Sequence, residues 1–312
     1  MADTVDVAFV QAFHDVIISL YAEDPMGLRE TVRFRTNVTG KSDDWDRIGG
    51  TELVAVTNRH QTTPHTEMTH TRRRVTLADW AGAEYLDQLD QVKMMIDPRN
   101  EYTQNLARAW RLRVAKTITD ALDADVTIVA NDNTTSTSAL QATQIIANGG
   151  TGMTMAKLRQ ANRLLDNSGV PSEDRTLLVS AYAVEDLMAD SQVTSSDYST
   201  LNAIMNGTIP QGARFMGYRI IKFGDAIPDE TTTVGTSVGV PSNPVLPKSG
   251  NIRTCFAYHK SAIGMSIGKE ATPEIDKRPD LMNAWQVLVQ GSVGAARVLD
   301  GGVVTIAIDE SV

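Results

Sequence analysis

MTMAKLRQANRLLDNSGVPSEDRTLLVSAYAVEDLMAD, residues 153–190, is the stretch on which the fold turns. Met155, Leu158, Ala161 and Leu164-Leu165 recur at helical spacing, which predicts a helix over Met153–Asn167, about 21 Å long. Ser168-Gly169 supplies a glycine stop, with Pro171 just beyond. Leu177-Leu178-Val179 then marks a short buried strand over Arg175–Ser180, and Tyr182–Asp190 a short helix.

Upstream, Asp97 and Pro98 open a strong helix that runs to about Leu122. Tyr102, Leu106, Trp110, Val114 and Ile118 make its apolar stripe, and Arg108, Arg111 and Lys116 fall largely off it. Before that lie two β-type runs, Leu53–Arg59 and Met68–Leu77, joined around Thr62-Thr63-Pro64-His65. Six threonines between Thr57 and Arg74 favour extended backbone, while Met68 is the only sizeable apolar side chain there. A ribbon with no apolar face is marginal in water by itself, so it should lie on another surface. Residues 4–22 carry Val5, Phe9, Phe13, Ile17 and Leu20 on one helical face, followed by an extended, loop-like run through Asp43-Asp44 to Gly49-Gly50.

Downstream, Phe215–Phe223 reads as a strand and residues 229–250 as a long surface loop. The last quarter is mostly β: Thr254–Tyr258, Trp285–Gln290, Ala295–Leu299 and Val303–Ile308, with Asp300-Gly301-Gly302 as a tight turn between the last two.

Composition narrows the function. The 312 residues are 42% hydrophobic and 21% charged, an ordinary globular balance. No stretch approaches the length of a membrane span, and the N-terminus lacks the pattern of a signal peptide. A lone cysteine, Cys255, excludes an internal disulfide or a multi-cysteine zinc site and reads as core packing. A net charge of −9 disfavours a dedicated nucleic-acid binder, while the local basic cluster Arg72-Arg73-Arg74 suits protein contacts. No catalytic motif emerges. Gly264–Lys269 falls one residue short of a phosphate-binding loop, with Glu270 where Ser or Thr would hold magnesium. His60, His65 and His70 lack the further ligands a metal needs, and Asp43-Asp44 and Asp229-Glu230 have no partner nucleophile or histidine. The expectation is no enzyme, no cofactor and no metal.

The order of these phrases resembles the major capsid proteins of tailed bacteriophages, whose fold encapsulins share. The resemblance is carried by the helix ending at Gly169 and its continuation to Asp190. It runs on through Gly207, Gly212, Phe215-Met216-Gly217-Tyr218 and Ile227-Pro228 to Phe256–Ile263 and Gly294–Val298 with Gly302-Val303. It implies an α+β capsid fold: an N-terminal arm over residues 1–45, an extended β-hairpin loop over 46–80, a peripheral domain of 81–185 with 266–312, and an axial domain over 186–265. The helix at 153–167 would be the spine helix, although 98–122 is longer.

The same resemblance implies a virion subunit that assembles as pentamers and hexamers into an icosahedral shell around double-stranded DNA, contacted non-specifically. Partners would be further copies, a portal protein and a separate scaffolding protein, with assembly in the host cytoplasm and no membrane. Some relatives weld subunits through a loop lysine; residues 46–80 contain none, so no such crosslink is expected. Phe9 and Phe13 of the arm and Arg59, Glu67, Arg72, Arg73 and Arg74 of the loop would form the subunit interface. An encapsulin-like compartment shell is the alternative, and an unrelated α+β enzyme or binding protein a more distant one.

Overall fold

In the computed structural model the quoted stretch folds as its spacing dictates. The structure describes residues 27–55, 57–59, 62–63, 65–87, 99–130, 133–189, 214–223 and 246–311. The expected N-terminal helix with Phe9 and Phe13, the Asp97-Pro98 helix start and most of the axial segment lie outside them.

Seventeen elements are used below. In chain order they are β1 (Arg33–Arg35), β2 (Ser42–Ile48), β3 (His70–Thr76), β4 (Ala78–Leu86), α1 (Arg99–Asp123), β5 (Val126–Val129), β6 (Thr135–Ser138) and β7 (Ile145–Ile146). There follow α2 (Met155–Asn167), β8 (Arg175–Ser180), α3 (Ala181–Ala189), β9 (Tyr218–Phe223) and β10 (Lys248–Ser249). The last four are β11 (Ile252–His259), β12 (Ile263–Arg278), β13 (Ala284–Arg297) and β14 (Val303–Asp309).

Helix α2 begins where the Thr154 hydroxyl accepts from the Lys157 backbone N–H, and ends in a glycine turn. There the Val170 N–H reaches the Leu165 carbonyl and the Gly169 N–H that of Asp166, with Gly169 at φ +69°, a left-handed value glycine adopts without penalty. Arg175, first in β8, closes the same corner: its guanidinium donates to the Pro171 and Val170 carbonyls and to Asn162 and Asp166 of α2. Lys157, on the buried face of α2, donates to the carbonyls of Thr151, Gly152 and Ala307, tying the helix to β14. Burial holds its ammonium below the usual lysine range.

Three sheets organise the rest. The central one runs β7-β14-β11-β8-β9, with β10 added to β11, and is packed by α2 on β14 and β7 and by α3 on β8 and β9. Its strand β8 is buried at every residue, as a central strand between two neighbours should be. A bidentate Arg253–Glu310 pair ties β11 to the residue that follows β14, joined by Lys248. Burial pushes Glu310 up, but the hydrogen bonds from Arg253, Lys248 and Ser180 outweigh it and hold the carboxyl below its ordinary value. Cys255 lies fully buried in β11, its thiol pushed up to about 12, so it packs and does not react, as the composition implied.

The second sheet runs β1-β12-β13-β4 and carries α1 across β13 and β12. Trp110, Val114 and Ile118 of the expected stripe are buried, and Arg113 lays its guanidinium 3.2 Å from the Trp80 ring centroid of β4. The third sheet runs β2-β3-β5-β6 and lies on the other face of β13. Gly294 permits that approach: a Cβ there would sit 2.3 Å from the Thr76 carbonyl oxygen, a backbone atom that cannot rotate away.

Several expectations change here. The ribbon exists, but β3 pairs with β2, with His70 opposite Ile48 and Thr76 opposite Ser42. Leu53–Arg59 forms no strand among the described residues, and Ser42–Ile48, expected as loop, is the partner. Trp285–Gln290 and Ala295–Leu299 are one continuous strand, β13, and β12 was not anticipated at all. Asp300–Gly302 is a 3-10 turn that passes the chain between sheets, since β13 pairs with β12 and β4 while β14 pairs with β11 and β7. Residues 27–32 are anchored and not free: Leu28 and Val32 are 1% and 0% exposed within the main core.

Candidate subunit interface

The sequence of β3, HTRRRVT, alternates, and the strand turns that alternation into two chemically distinct faces. Arg73 and Val75 point inward; Arg72 and Arg74 point to the other side. Arg72 donates through Nε to Asp46 at 3.1 Å, and Arg74 makes a fork of two bonds, 2.9 and 3.0 Å, to Asp44. Both pairs sit directly opposite in the β2–β3 register. The Arg74 hydrogen bond holds the Asp44 carboxyl below its ordinary value against the opposing effect of burial. These arginines therefore set the register of their own ribbon, a role the sequence reading did not give them.

Arg73 is 3% exposed and faces the chain's own interior. Its Nη2 lies 2.5 Å from Asp300 Oδ2, while Arg297 donates to Asp300 Oδ1 at 2.8 Å. Arg297 also donates to the Leu122 and Ala124 carbonyls at the end of α1 and to the Ser138 carbonyl of β6. A cation at a helix C-terminus meets the negative end of the dipole, and the free carbonyls gain donors. Nε and Nη1 of Arg73 have no partner among the described residues. The expectation that Arg72, Arg73 and Arg74 share one interface changes at Arg73, which is buried on Asp300 and is part of the fold.

Arg59 and Glu67 are exposed. Phe9 and Phe13 lie outside the described residues. Leu53, Val54 and Met68 of the same loop are exposed apolar side chains, at 99%, 55% and 52%. An isolated subunit thus projects a loop that buries little of itself.

A second exposed feature was not singled out from sequence. Val32, Arg33, Phe34, Arg35, Trp45 and Lys260 line a cleft of about 310 Å³ between β1, β2 and the turn at Lys260. The Trp45 ring forms its floor, with the guanidinium carbons of Arg35 and Arg33 at 4.1 and 5.2 Å from the ring centroid. Trp45 Nε1 donates to Ser266 Oγ, which donates to Asp43 Oδ2, and Asp43 accepts from Arg35. The only sequence signal was an Arg-Phe-Arg alternation ahead of a tryptophan, unreadable without knowing that β1 and β2 meet.

Among the described residues no group of three His, Cys, Asp or Glu side chains could hold a metal, and His65 and His70 are exposed loop and strand positions. No helix of the described residues is long and apolar enough to cross a membrane. Gly264–Lys269 is part of β12 and makes no phosphate loop.

A family model described as "Phage capsid protein" matches residues 5–310. Solved structures share the fold nearly end to end. The capsid of cyanophage P-SCSP1u aligns with a TM-score of 0.68 at 14% identity, over 99% of this chain and 95% of that one. A structure of Mycobacterium phage Che8 gives 0.64 at 17% identity over 95% and 96%. The head structure of Helicobacter pylori bacteriophage KHP40 gives 0.66 at 11% identity over 96% of each chain. No curated protein matches the sequence.

Proposed function

The chain belongs to the phage capsid protein family, and from that premise we propose how this particular subunit builds its shell. It is a major capsid protein of α+β fold, a structural component of the phage virion and not an enzyme. The subunits associate as pentamers and hexamers around packaged double-stranded DNA, which they contact without sequence readout. A separate scaffolding protein and a portal protein act with them, and assembly takes place in the host cytoplasm. The extended loop over 46–80 reaches onto an adjacent copy, carrying Arg59, Glu67, Leu53 and Met68, while Arg72 and Arg74 stiffen its root. Phe9 and Phe13 of the arm add apolar contacts to a neighbour.

The observation that carries this reading is the combination of a family match along almost the whole chain with a loop whose apolar side chains Leu53, Val54 and Met68 no described residue covers. The division into arm, loop, peripheral and axial parts is kept as a proposal; β8 and β14 of the peripheral part pair with β11 of the axial part, so the two share one sheet. One assignment within it shifts: α1 lies along the long sheet and is the better candidate for the spine helix than 153–167. An encapsulin-like shell finds no support in the family match.

Negative-stain microscopy of the chain expressed with the scaffolding protein of its phage is the test. Closed particles of uniform diameter are expected. A monodisperse monomer under those conditions would sink the proposal.

A further inference from the structure

Edge strand β1 offers its cations in a fixed order. Arg33 and Arg35 stand on the Trp45 side of the strand, two residues apart and so about 6.6 Å from each other, with Lys260 beside them. Arg35 is engaged by Asp43 at 3.2 Å; Arg33 and Lys260 have no ion pair among the described residues. Counting Asp43, the cleft keeps an excess of two positive charges on a chain whose net charge is −9. Stacking on Trp45 holds the arginines in place, so less side-chain freedom is lost when an anion arrives.

The chain also carries the complementary element. On the distal half of β12, Glu274 and Asp276 are exposed, two residues apart, and on the sheet face away from α1. Neither has an ion pair among the described residues, and Arg278, the cation next along that face, is already held by Asp280 and Gln286. The other strand carboxylates with that spacing, Asp44 and Asp46, are taken by Arg74 and Arg72. The acidic pair is beyond reach of its own cleft. Arg33 is opposite Gly264, ten residues from Glu274 along an extended strand, a separation of about 33 Å.

We infer that the Arg33–Arg35–Lys260 cleft is a socket for the Glu274–Asp276 strand of a second copy of this chain. Two carboxylates at strand spacing meet two guanidiniums at the same spacing, with Lys260 closing one side. Socket and strand are different surfaces of one subunit, so the contact is head-to-tail. Such contacts close into rings when the rotation between copies permits, which is the geometry a capsomer needs. The inference rests on the shell reading above, and its test separates the two.

Three variants are compared with the natural chain: R33E/K260E, E274K/D276K and the combination of all four changes. Arg35 is left in place because it is paired with Asp43 and lies closer to the Trp45 ring than Arg33 does. Particle yield is read by sedimentation and microscopy, and subunit folding by thermal melting. Each reversal alone should lower yield by about tenfold with melting unchanged, and the combination should restore it to within about threefold. If R33E/K260E melts early, R33Q/K260Q replaces it, and its yield should lose the dependence on salt that the natural chain shows. Full yield from either reversal, or no recovery in the combination, overturns the inference. So does a labelled DNA duplex that binds the natural chain and not R33E/K260E while particles form normally, because the cleft is then a phosphate site. Absence of particles from the natural chain overturns the shell reading instead.

Discussion

Asp300 shows how one carboxylate can join distant parts of a chain. Arg73 comes from the root of the loop and Arg297 from the end of β13, and both end on its two oxygens. Removing the acid leaves two guanidiniums buried without a counter-charge, a change that costs about 3–5 kcal/mol in comparable buried pairs. Asp300→Ala should therefore lower the melting temperature strongly. Arg72→Ala should not: its pair with Asp46 is solvent-exposed on both sides and of a kind worth about 0–1 kcal/mol. Melting curves of the two variants decide the matter, and equal losses would show that the buried position of Arg73 carries no special weight. The same contrast explains why Arg72-Arg73-Arg74, three like residues in sequence, read as one patch. Neighbouring positions on a strand face opposite sides, and only the fold reveals that one of those sides is interior.

At the level of elements, legibility followed how local the stabilising interactions are. α2 and β8 were readable because cap, apolar period and glycine stop lie within the segment itself. β2 was not, because Ser-Asp-Asp-Trp-Asp-Arg-Ile has the composition of a loop, and its acids become strand residues only opposite the arginines of β3. β12 was missed for a related reason: glycine, proline and charge break any period, and its distal half is exposed on both faces. Of the loop, the strand over Met68–Leu77 was recognised and its partner misassigned, while the β1 cleft is a product of tertiary contact alone. The close stacking of two sheets at Gly294 is likewise invisible in sequence. Gly294→Ala should force β13 and β3 apart at Thr76, a strain of about 1–3 kcal/mol. The melting temperature should fall while Gly50→Ala, with nothing near its added carbon, leaves it unchanged.

For the whole molecule, the question is what keeps many copies together. Residues 46–80 hold no lysine, so a covalent weld through that loop is absent from the proposed design, and the shell depends on summed non-covalent contacts. Mature particles boiled in denaturant should run as a single species near 33.9 kDa. A ladder of multimers would show a crosslink made elsewhere.

The long β12–β13 pair has a mechanical consequence. Ile263–Ile267 of β12 is buried, while the strand runs on for eleven more residues toward the turn at Pro279–Leu281 with its surface in solvent. The exposed half of β12 is held through β13, which β4 backs over Trp285–Val293. Force along its axis loads many interstrand hydrogen bonds at once, in shear, whereas force across it peels them singly. A subunit built this way should resist stretching along the strands of the long sheet more than bending out of its plane.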